Sequence, residues 1–314
     1  MTNSLKTQKT LSKSVKISGK GLHSGRIVNL NIHPAKVNSG ISFLRSDVES
    51  AQIVRALATE ISSTLLSTTI GQAESSISTV EHLMAALAGL DICNAFIEID
   101  GPEVPILDGS SRVFVDEFLK VGIHDQLVPA VGYRVLKPIT VEIDDQWIRI
   151  EPSASSTIEC NIDFDHHLIG QQSFRYSPSS SAFIDLAGAR TFCYLRDVNK
   201  MRSNGLALGG SLENAIVLNE SGIENPEGLR SSLEFVEHKM IDLIGDLALL
   251  GSPIVGRVTA YKPGHSLQAK LTRLLLNNFE EFLSASTIES SEPLSDFPGE
   301  GQRTSTGYEW ASLG

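Results

Sequence analysis

Cysteine is scarce in this chain, which has only three among its 314 residues, and no two of them form a Cys-x-x-Cys pair. A disulfide framework or a cysteine-rich zinc site needs cysteines in even numbers or in closely spaced pairs. Cys93, Cys160 and Cys193 meet neither requirement. Their pattern argues against both kinds of site and is typical of a protein from a reducing compartment.

Long apolar runs and an excess of positive charge are also lacking. No run approaches the ~20 apolar residues of a membrane-spanning helix, and the N-terminal MTNSLKTQKTLSKSV lacks the apolar core of a signal peptide. We therefore expect a soluble, cytoplasmic protein without a transmembrane segment. The 26 Lys and Arg against 37 Asp and Glu give a formal charge of −11, which disfavours nucleic acid as a partner because phosphate neutralisation requires a basic surface.

Two segments half a chain apart nearly repeat each other. One reads TVEHLMAALAGL at 79–90, and the other reads FVEHKMIDLIGDL at 235–247. Both contain Val-Glu-His-x-Met followed by apolar residues at helical spacing, which predicts helices over 79–90 and about 233–250. With 41% hydrophobic residues, the chain can bury the apolar faces of both helices in a sizeable core.

The same order of elements surrounds both repeats. Alternating apolar and polar residues predict strands at 14–18, 28–33, 94–100, 133–143, 147–151, 157–164 and 254–260, with a strand-turn-strand at 206–218. Further helices are predicted near 111–121, 181–190 and 266–283. The repeated order indicates an internal duplication with halves at 1–128 and 132–284, and the polar segment 285–314 is expected to be a disordered tail. The predicted fold class is α+β, with two β-α-α-β half-domains.

The second repeat places His238, Asp242 and Asp246 four residues apart. Residues at this spacing share one face of a helix, and such a stripe is also common on solvated faces, so that alternative stays open. If the halves pack about a pseudo-twofold axis, the two helices face each other and His82 approaches His238. Two histidines and Asp242 then form a three-ligand site with an open position, as in catalytic zinc centres.

Two further groups could act beside such a metal. Glu81 precedes His82 and is a candidate base, although a carboxylate in the first helical turn is also stabilised by the helix dipole alone. His265 follows a Lys-Pro-Gly turn and is a candidate general acid. Asp246 could hold it and raise its pKa. The simpler alternative for His265 is an ordinary turn histidine.

Six motifs follow one another along the chain. They are STVEHLMAALAGL at 78–90, GPEVPILDGS at 101–110, ARTF at 189–192, LGGS at 208–211, EFVEHKMIDLIGD at 234–246 and GHSLQAKL at 264–271. Together with Gly-Leu-His-Ser-Gly at 21–25, they resemble the zinc-dependent UDP-3-O-acyl-N-acetylglucosamine deacetylases of lipid A biosynthesis. The resemblance runs from about residue 8 to residue 284. It implies two related α+β halves, with the helices sandwiched between two small sheets and the active site at the junction.

The resemblance also implies a role for each matching residue. The implied Zn²⁺ ligands are His82, His238 and Asp242. The implied catalytic groups are Glu81 as the base for the attacking water, His265 as the acid with Asp246 beside it, and Thr191 as the hydroxyl that steadies the oxyanion. In substrate binding, Lys239 would meet the nucleotide diphosphate, Phe164 would stack on uracil and His23 would lie near the substrate. An insert near 193–217 would enclose the acyl chain, with walls from Phe192, Leu206, Ala215 and Val217.

The resemblance therefore implies that a monomer hydrolyses the acetamide of UDP-3-O-acyl-N-acetylglucosamine and releases acetate and UDP-3-O-acyl-glucosamine. This is the committed step of lipid A synthesis. Iron could replace zinc among such nitrogen and oxygen donors. Two other functions are considered: a zinc amidohydrolase for another acetylated sugar, which would not need the acyl chain, and an RNA-binding module with similar half-domains. The acidic charge and the histidine–carboxylate set argue against the module, and metal content would distinguish it from an enzyme.

Overall fold

The computed structural model describes residues 5–288, which form the predicted α+β fold. The strands in that range are β1 (Thr7–Leu11), β2 (Val15–Lys20), β3 (Ile27–Pro34), β4 (Ile41–Arg45), β5 (Val54–Arg55), β6 (Ile61–Ser63), β7 (Thr69–Ile70), β8 (Ala95–Ile99), β9 (Ile123–Pro129), β10 (Val131–Val135), β11 (Ile139–Ile143), β12 (Gln146–Glu151), β13 (Thr157–Phe164), β14 (Gly170–Tyr176), β15 (Phe192–Tyr194), β16 (Ile216–Leu218), β17 (Ile254–Val255), β18 (Arg257–Tyr261) and β19 (Leu283–Thr287). The helices are α1 (Glu81–Gly89), α2 (Arg112–Val121), α3 (Ser180–Leu186), α4 (Leu195–Ser203), α5 (Glu234–Ala248), α6 (His265–Asn277) and α7 (Phe279–Phe282). No helix in this part of the chain is both long enough and apolar enough to cross a bilayer.

Two five-stranded sheets share one topology. Their strand orders are β2-β3-β8-β4-β5 and β11-β12-β18-β13-β14. In each sheet one pair is parallel, β4 with β8 and β13 with β18, and the other neighbours are antiparallel. A parallel pair requires a long crossover connection, and α1 and α5 lie in these two crossovers. The two Val-Glu-His helices thus occupy equivalent places, while the duplication and its boundaries stay predictions.

The core consists of apolar residues on one face of the strands together with those of the two crossover helices, α1 and α5. In β3, the buried residues Val28, Leu30 and Ile32 alternate with more exposed ones, as expected for a strand with one covered face. In α1, every residue except Ala88 is buried. Helices α1 and α5 pack directly against each other, and α5 and α6 also contact strands of the second sheet. The pair α1–α5 therefore lies in the interior of the protein.

Gly245 allows α1 and α5 to approach very closely. A Cβ atom at this position would overlap the backbone carbonyl oxygen of Glu81. Any side chain at residue 245 would force the two helices apart, because the obstacle is backbone and cannot rotate away. This approach brings the first turn of α1 beside the face of α5 that contains the histidine and aspartates.

Several element boundaries differ from the sequence predictions. The predicted strand 133–143 is divided into β10 and β11 by a segment that contains Pro138, which cannot donate to a strand ladder. Gly256 divides the predicted strand 254–260, and the helix predicted at 181–190 ends at Leu186, shortly before Gly188. The strand-turn-strand at 206–218 is wrong, because only β16 forms there and it pairs in parallel with β15. Helix α4 was not predicted.

Strands extend slightly past two of the predicted limits, although the division into halves stays a prediction. Strand β9 continues to Pro129, one residue past the expected end of the first half. Strand β19 continues to Thr287 and pairs with β10, so residues 285–287 are paired rather than disordered. The remaining part of the predicted tail, residues 289–314, lies outside the described residues.

Candidate active site

The close packing of α1 and α5 brings two histidines and one aspartate together. The rings of His82 and His238 have centroids 4.9 Å apart and are nearly perpendicular, at 85°. The Nε2 atom of each ring lies 3.4 Å from Oδ1 of Asp242. All three side chains are buried, and their ligand atoms lie within 4.8 Å of one another. Within residues 5–288, no other group of His, Cys, Asp or Glu converges in this way.

The spacing of these three atoms fits a bound metal ion. Nitrogen and oxygen ligands lie about 2.0–2.2 Å from tetrahedral zinc, which places neighbouring ligand atoms about 3.3–3.6 Å apart. The 3.4 Å separations between Asp242 and the imidazoles fall in this range. They are longer than the usual hydrogen-bond distance. Two imidazoles and one carboxylate suit a transition metal and leave a coordination position for water or substrate.

Neighbouring groups fix the orientation of the ligand atoms. Nδ1 of His238 lies 3.0 Å from the backbone oxygen of Ala189, and because a carbonyl can only accept, Nδ1 carries the proton and Nε2 is free to bind a metal. Lys239 donates a 2.9 Å hydrogen bond to Oδ2 of Asp242. Burial would raise the pKa of Asp242, but Lys239 and the surrounding histidines together outweigh burial and hold that pKa well below its usual value. The carboxylate is therefore charged and directs Oδ1 toward the histidines.

Glu81 is a buried carboxylate at the first position of α1. Its Oε2 accepts a 3.0 Å hydrogen bond from the backbone N–H of Thr68, and its Oε1 lies 3.8 Å from Nε2 of His265. Burial raises the pKa of Glu81 to about 6. A carboxylate with this pKa is ionised at neutral pH and can still accept a proton readily, as a general base requires.

His265 begins α6 and is held by Asp246. Its Nδ1 lies 2.8 Å from Oδ2 of Asp246, and the hydroxyl of Thr68 donates to the other oxygen, Oδ1, at 2.6 Å. Burial alone would lower the pKa of His265, but the negative charges of Asp246 and Glu81 outweigh it and raise the pKa to about 9. His265 is therefore protonated at neutral pH, with Nε2 directed toward Glu81.

A cavity of about 410 Å³ contains Thr191 in its wall. Four other residues predicted to contact substrate also line it: His23, Phe192, Ala215 and Val217. Leu206 is not among the residues that line it, and its role beside the acyl chain stays a prediction. Helix α4 contributes three apolar residues to the cavity wall, Leu195, Val198 and Met201. Their spacing of three residues is a helical signal that the sequence contained.

The remaining predicted substrate residues lie close to this cavity. The ring of Phe164 meets the ring of Phe192 edge to face, with centroids 5.4 Å apart, and Lys239 lies 5.8 Å from the centroid of Phe192. The backbone N–H of His23 donates a 2.7 Å hydrogen bond to the buried carboxylate of Glu103, and Nδ1 of its ring accepts a 3.4 Å hydrogen bond from the backbone N–H of Ala207. These contacts hold the His23 ring in the wall of the cavity.

Some residues of the site were missed by sequence reasoning. Thr68 contacts both Glu81 and Asp246, but it lies in a short segment without any periodic pattern. Arg190 and Glu234 form a fully buried ion pair, 2.8 Å between Nε and Oε1, beside the Ala189 carbonyl that orients His238. Both residues lie within motifs quoted above, ARTF and EFVEHKMIDLIGD, and their opposite charges were the available signal, although they lie 44 positions apart in the chain.

Comparison with known proteins points to one family. The family model for UDP-3-O-acyl N-acetylglycosamine deacetylase matches residues 8–277. A curated protein of Syntrophus aciditrophicus (strain SB) is 43% identical over 286 residues, which are 91% of each chain. One from Shewanella violacea is 48% identical over 273 residues, 86% of this chain and 89% of the relative, and both relatives are named UDP-3-O-acyl-N-acetylglucosamine deacetylase. This chain belongs to the UDP-3-O-acyl-N-acetylglucosamine deacetylase family.

Proposed function

We propose that this protein removes the acetyl group of UDP-3-O-acyl-N-acetylglucosamine, releasing acetate and a free amine, with zinc as its metal. The observation that carries this proposal is the convergence of His82, His238 and Asp242 beside a buried carboxylate and a buried imidazolium. All of these groups come from one chain, so we propose that a monomer is active. Bound zinc would act as a Lewis acid toward the acetamide carbonyl and would lower the pKa of a water molecule.

The base and the acid are separate groups with complementary proton states. Glu81 accepts a proton from the attacking water. The accepting atom is Oε1, since Oε2 already accepts a hydrogen bond from the backbone N–H of Thr68. His265, protonated and held through Nδ1 by Asp246, donates its Nε2 proton to the departing amine nitrogen. The hydroxyl of Thr191 donates to the acetamide oxygen as negative charge develops there.

The cavity supports the acylated substrate over another acetylated sugar. Its volume of about 410 Å³ falls within the usual range of ligand pockets, and Phe192, Ala215 and Val217 make its wall apolar where an acyl chain would lie. We place the nucleotide next to it, with Lys239 near the diphosphate and Phe164 near the uracil. Lys239 would then contact both Asp242 and the substrate.

Acetate release from purified protein tests the proposal. Incubation with UDP-3-O-acyl-N-acetylglucosamine should release one acetate per amine formed, and the protein should contain about one zinc ion per chain. A chelator should abolish release, and added zinc should restore it. Equal activity on UDP-N-acetylglucosamine without the acyl chain would favour an amidohydrolase for another sugar. A protein with neither metal nor activity would contradict the proposal.

The rate is expected to have a bell-shaped dependence on pH. Glu81 must be ionised, so kcat should rise with pH through its pKa of about 6. His265 must be protonated, so kcat should fall as the pH passes its pKa of about 9. Initial rates measured from pH 5 to 10 at saturating substrate would check this. A profile with only one limb would contradict the assignment of two separate groups.

A further inference from the structure

Thr68 is a buried residue next to β7 that contacts both of the groups proposed to move protons. It is 1% exposed, and it was not among the residues assigned from the sequence. Its backbone N–H, its backbone carbonyl and its hydroxyl each make a hydrogen bond to a different part of the site. One residue therefore links the segments that supply the base and the acid.

On the base side, the backbone of Thr68 is joined to the start of α1. Its N–H donates to Oε2 of Glu81 at 3.0 Å, and its carbonyl oxygen accepts from the N–H of Val80 at 3.3 Å. These bonds fix both the start of α1 and the Oε2 atom of the Glu81 carboxylate. The other carboxylate oxygen, Oε1, faces His265.

On the acid side, the hydroxyl of Thr68 supports Asp246. Oγ1 lies 2.6 Å from Oδ1 of Asp246, whose other oxygen lies 2.8 Å from Nδ1 of His265. Oγ1 also lies 3.3 Å from Nδ1 itself. A carboxylate with one oxygen fixed by a donor can hold the imidazole in only a narrow range of orientations. The ring is thereby held with Nε2 toward the reaction site.

We propose that Thr68 is a positioning residue that aligns the base Glu81 with the acid pair Asp246–His265. It donates to Oε2 of Glu81 and to Oδ1 of Asp246. The two atoms proposed to exchange protons with the substrate and water, Oε1 of Glu81 and Nε2 of His265, lie 3.8 Å apart. This inference rests on the proposed deacetylase function. It adds a residue that acts through its neighbours and does not touch the substrate.

Removing only the hydroxyl separates its effect from that of the backbone. Thr68→Val keeps the shape and both backbone bonds but leaves Oδ1 of Asp246 without a donor. We expect kcat to fall about 10- to 100-fold, with KM and zinc content close to those of the unchanged protein and a thermal midpoint lower by only about a few degrees, since one buried carboxylate oxygen loses its donor. Thr68→Ser keeps a hydroxyl and should recover most of the activity. Thr69→Val is the matched control, since it removes a neighbouring hydroxyl that is not hydrogen bonded to Glu81, Asp246 or His265, and kcat should not change.

The double variant and a spectroscopic signal test the mechanism. Adding Thr68→Val to Asp246→Asn should cause little further loss, because the hydroxyl acts through Asp246. In the unchanged protein, the Nδ1 proton of His265 should give a downfield NMR signal, identified by its loss in His265→Ala. Thr68→Val should shift or broaden this signal, and Thr69→Val should not.

The possible failures can be told apart. Full activity and an unchanged NMR signal in Thr68→Val would overturn the positioning role. A fall in zinc content or thermal midpoint that accounts for the lost activity would also overturn it, in favour of a purely structural role. If the unchanged protein releases no acetate, the proposed function fails. The NMR comparison then still decides whether Thr68 positions His265.

Discussion

Replacing His265 with alanine is expected to lower kcat by about 10²- to 10⁴-fold, the usual contribution of a positioned general acid. The leaving nitrogen would have to depart without the proton that Nε2 supplies. Zinc should remain bound, because the three proposed ligands are on α1 and α5 and do not include His265. Steady-state kinetics together with metal analysis of the purified variant would measure both effects.

A second histidine gives the matched control for this change. His124 is exposed on β9, and His124→Ala should leave kcat and zinc content unchanged. Loss of zinc from His265→Ala would contradict its assignment as the acid, because it would show that the imidazole supports the metal. A kcat within twofold of the unchanged protein would also contradict the assignment.

Replacing Glu234 with alanine is expected to lower the free energy of unfolding by about 3–5 kcal/mol, because it leaves a buried guanidinium without its main partner. Arg190 is 1% exposed and Glu234 is fully buried. Two nitrogens of the guanidinium and the backbone N–H of Arg190 all donate to Glu234, at 2.8–3.2 Å. The other carboxylate near Arg190, that of Glu227, is 54% exposed. Solvent screens its attraction to the guanidinium, so Glu227 offsets only part of the loss of Glu234. Denaturant unfolding followed by circular dichroism would measure the change.

An exposed ion pair provides the comparison for this prediction. Lys137 and Glu281 are 2.6 Å apart, and their side chains are 48% and 52% exposed. Exposed pairs contribute little despite short distances, so Glu281→Ala should change the free energy of unfolding by less than about 1 kcal/mol. Similar losses in Glu281→Ala and Glu234→Ala would refute the argument that burial makes the Arg190–Glu234 pair important.

The parts of the site that could be predicted depend on local spacing and on the repeat. Helical periodicity predicted α1 and α5 to within two residues, since their apolar positions recur at three- and four-residue intervals. The i, i+4 rule placed His238 and Asp242 on one face, and the repeated motif pointed to His82 as the third member. The roles of Thr191, Lys239 and Phe164 came only from the family resemblance. No spacing links Thr191 or Phe164 to the metal cluster, and the i, i+3 spacing of Lys239 and Asp242 predicts an ion pair but no contact with a diphosphate.

What could not be predicted depends on contacts between distant residues. Thr68 meets Asp246 across 178 positions of the chain, and nothing in its own neighbourhood indicates that pairing. The cavity wall differed for another reason. The segment after Tyr194 was predicted only as part of an insert near 193–217, but it forms α4, whose Leu195, Val198 and Met201 line the cavity. The overlap that excludes a side chain at Gly245 likewise exists only once the two helices are packed.

The ligands of the candidate metal centre are divided between connections that belong to different sheets. His82 lies in the crossover from β4 to β8, and His238 and Asp242 lie in the crossover from β13 to β18. An ion held by all three would act as a cross-link between the two layers, and it would be released by any fluctuation that parts α1 from α5. Metal affinity and the free energy of unfolding are therefore linked, because an ion that binds only when α1 and α5 are packed together stabilises the folded protein.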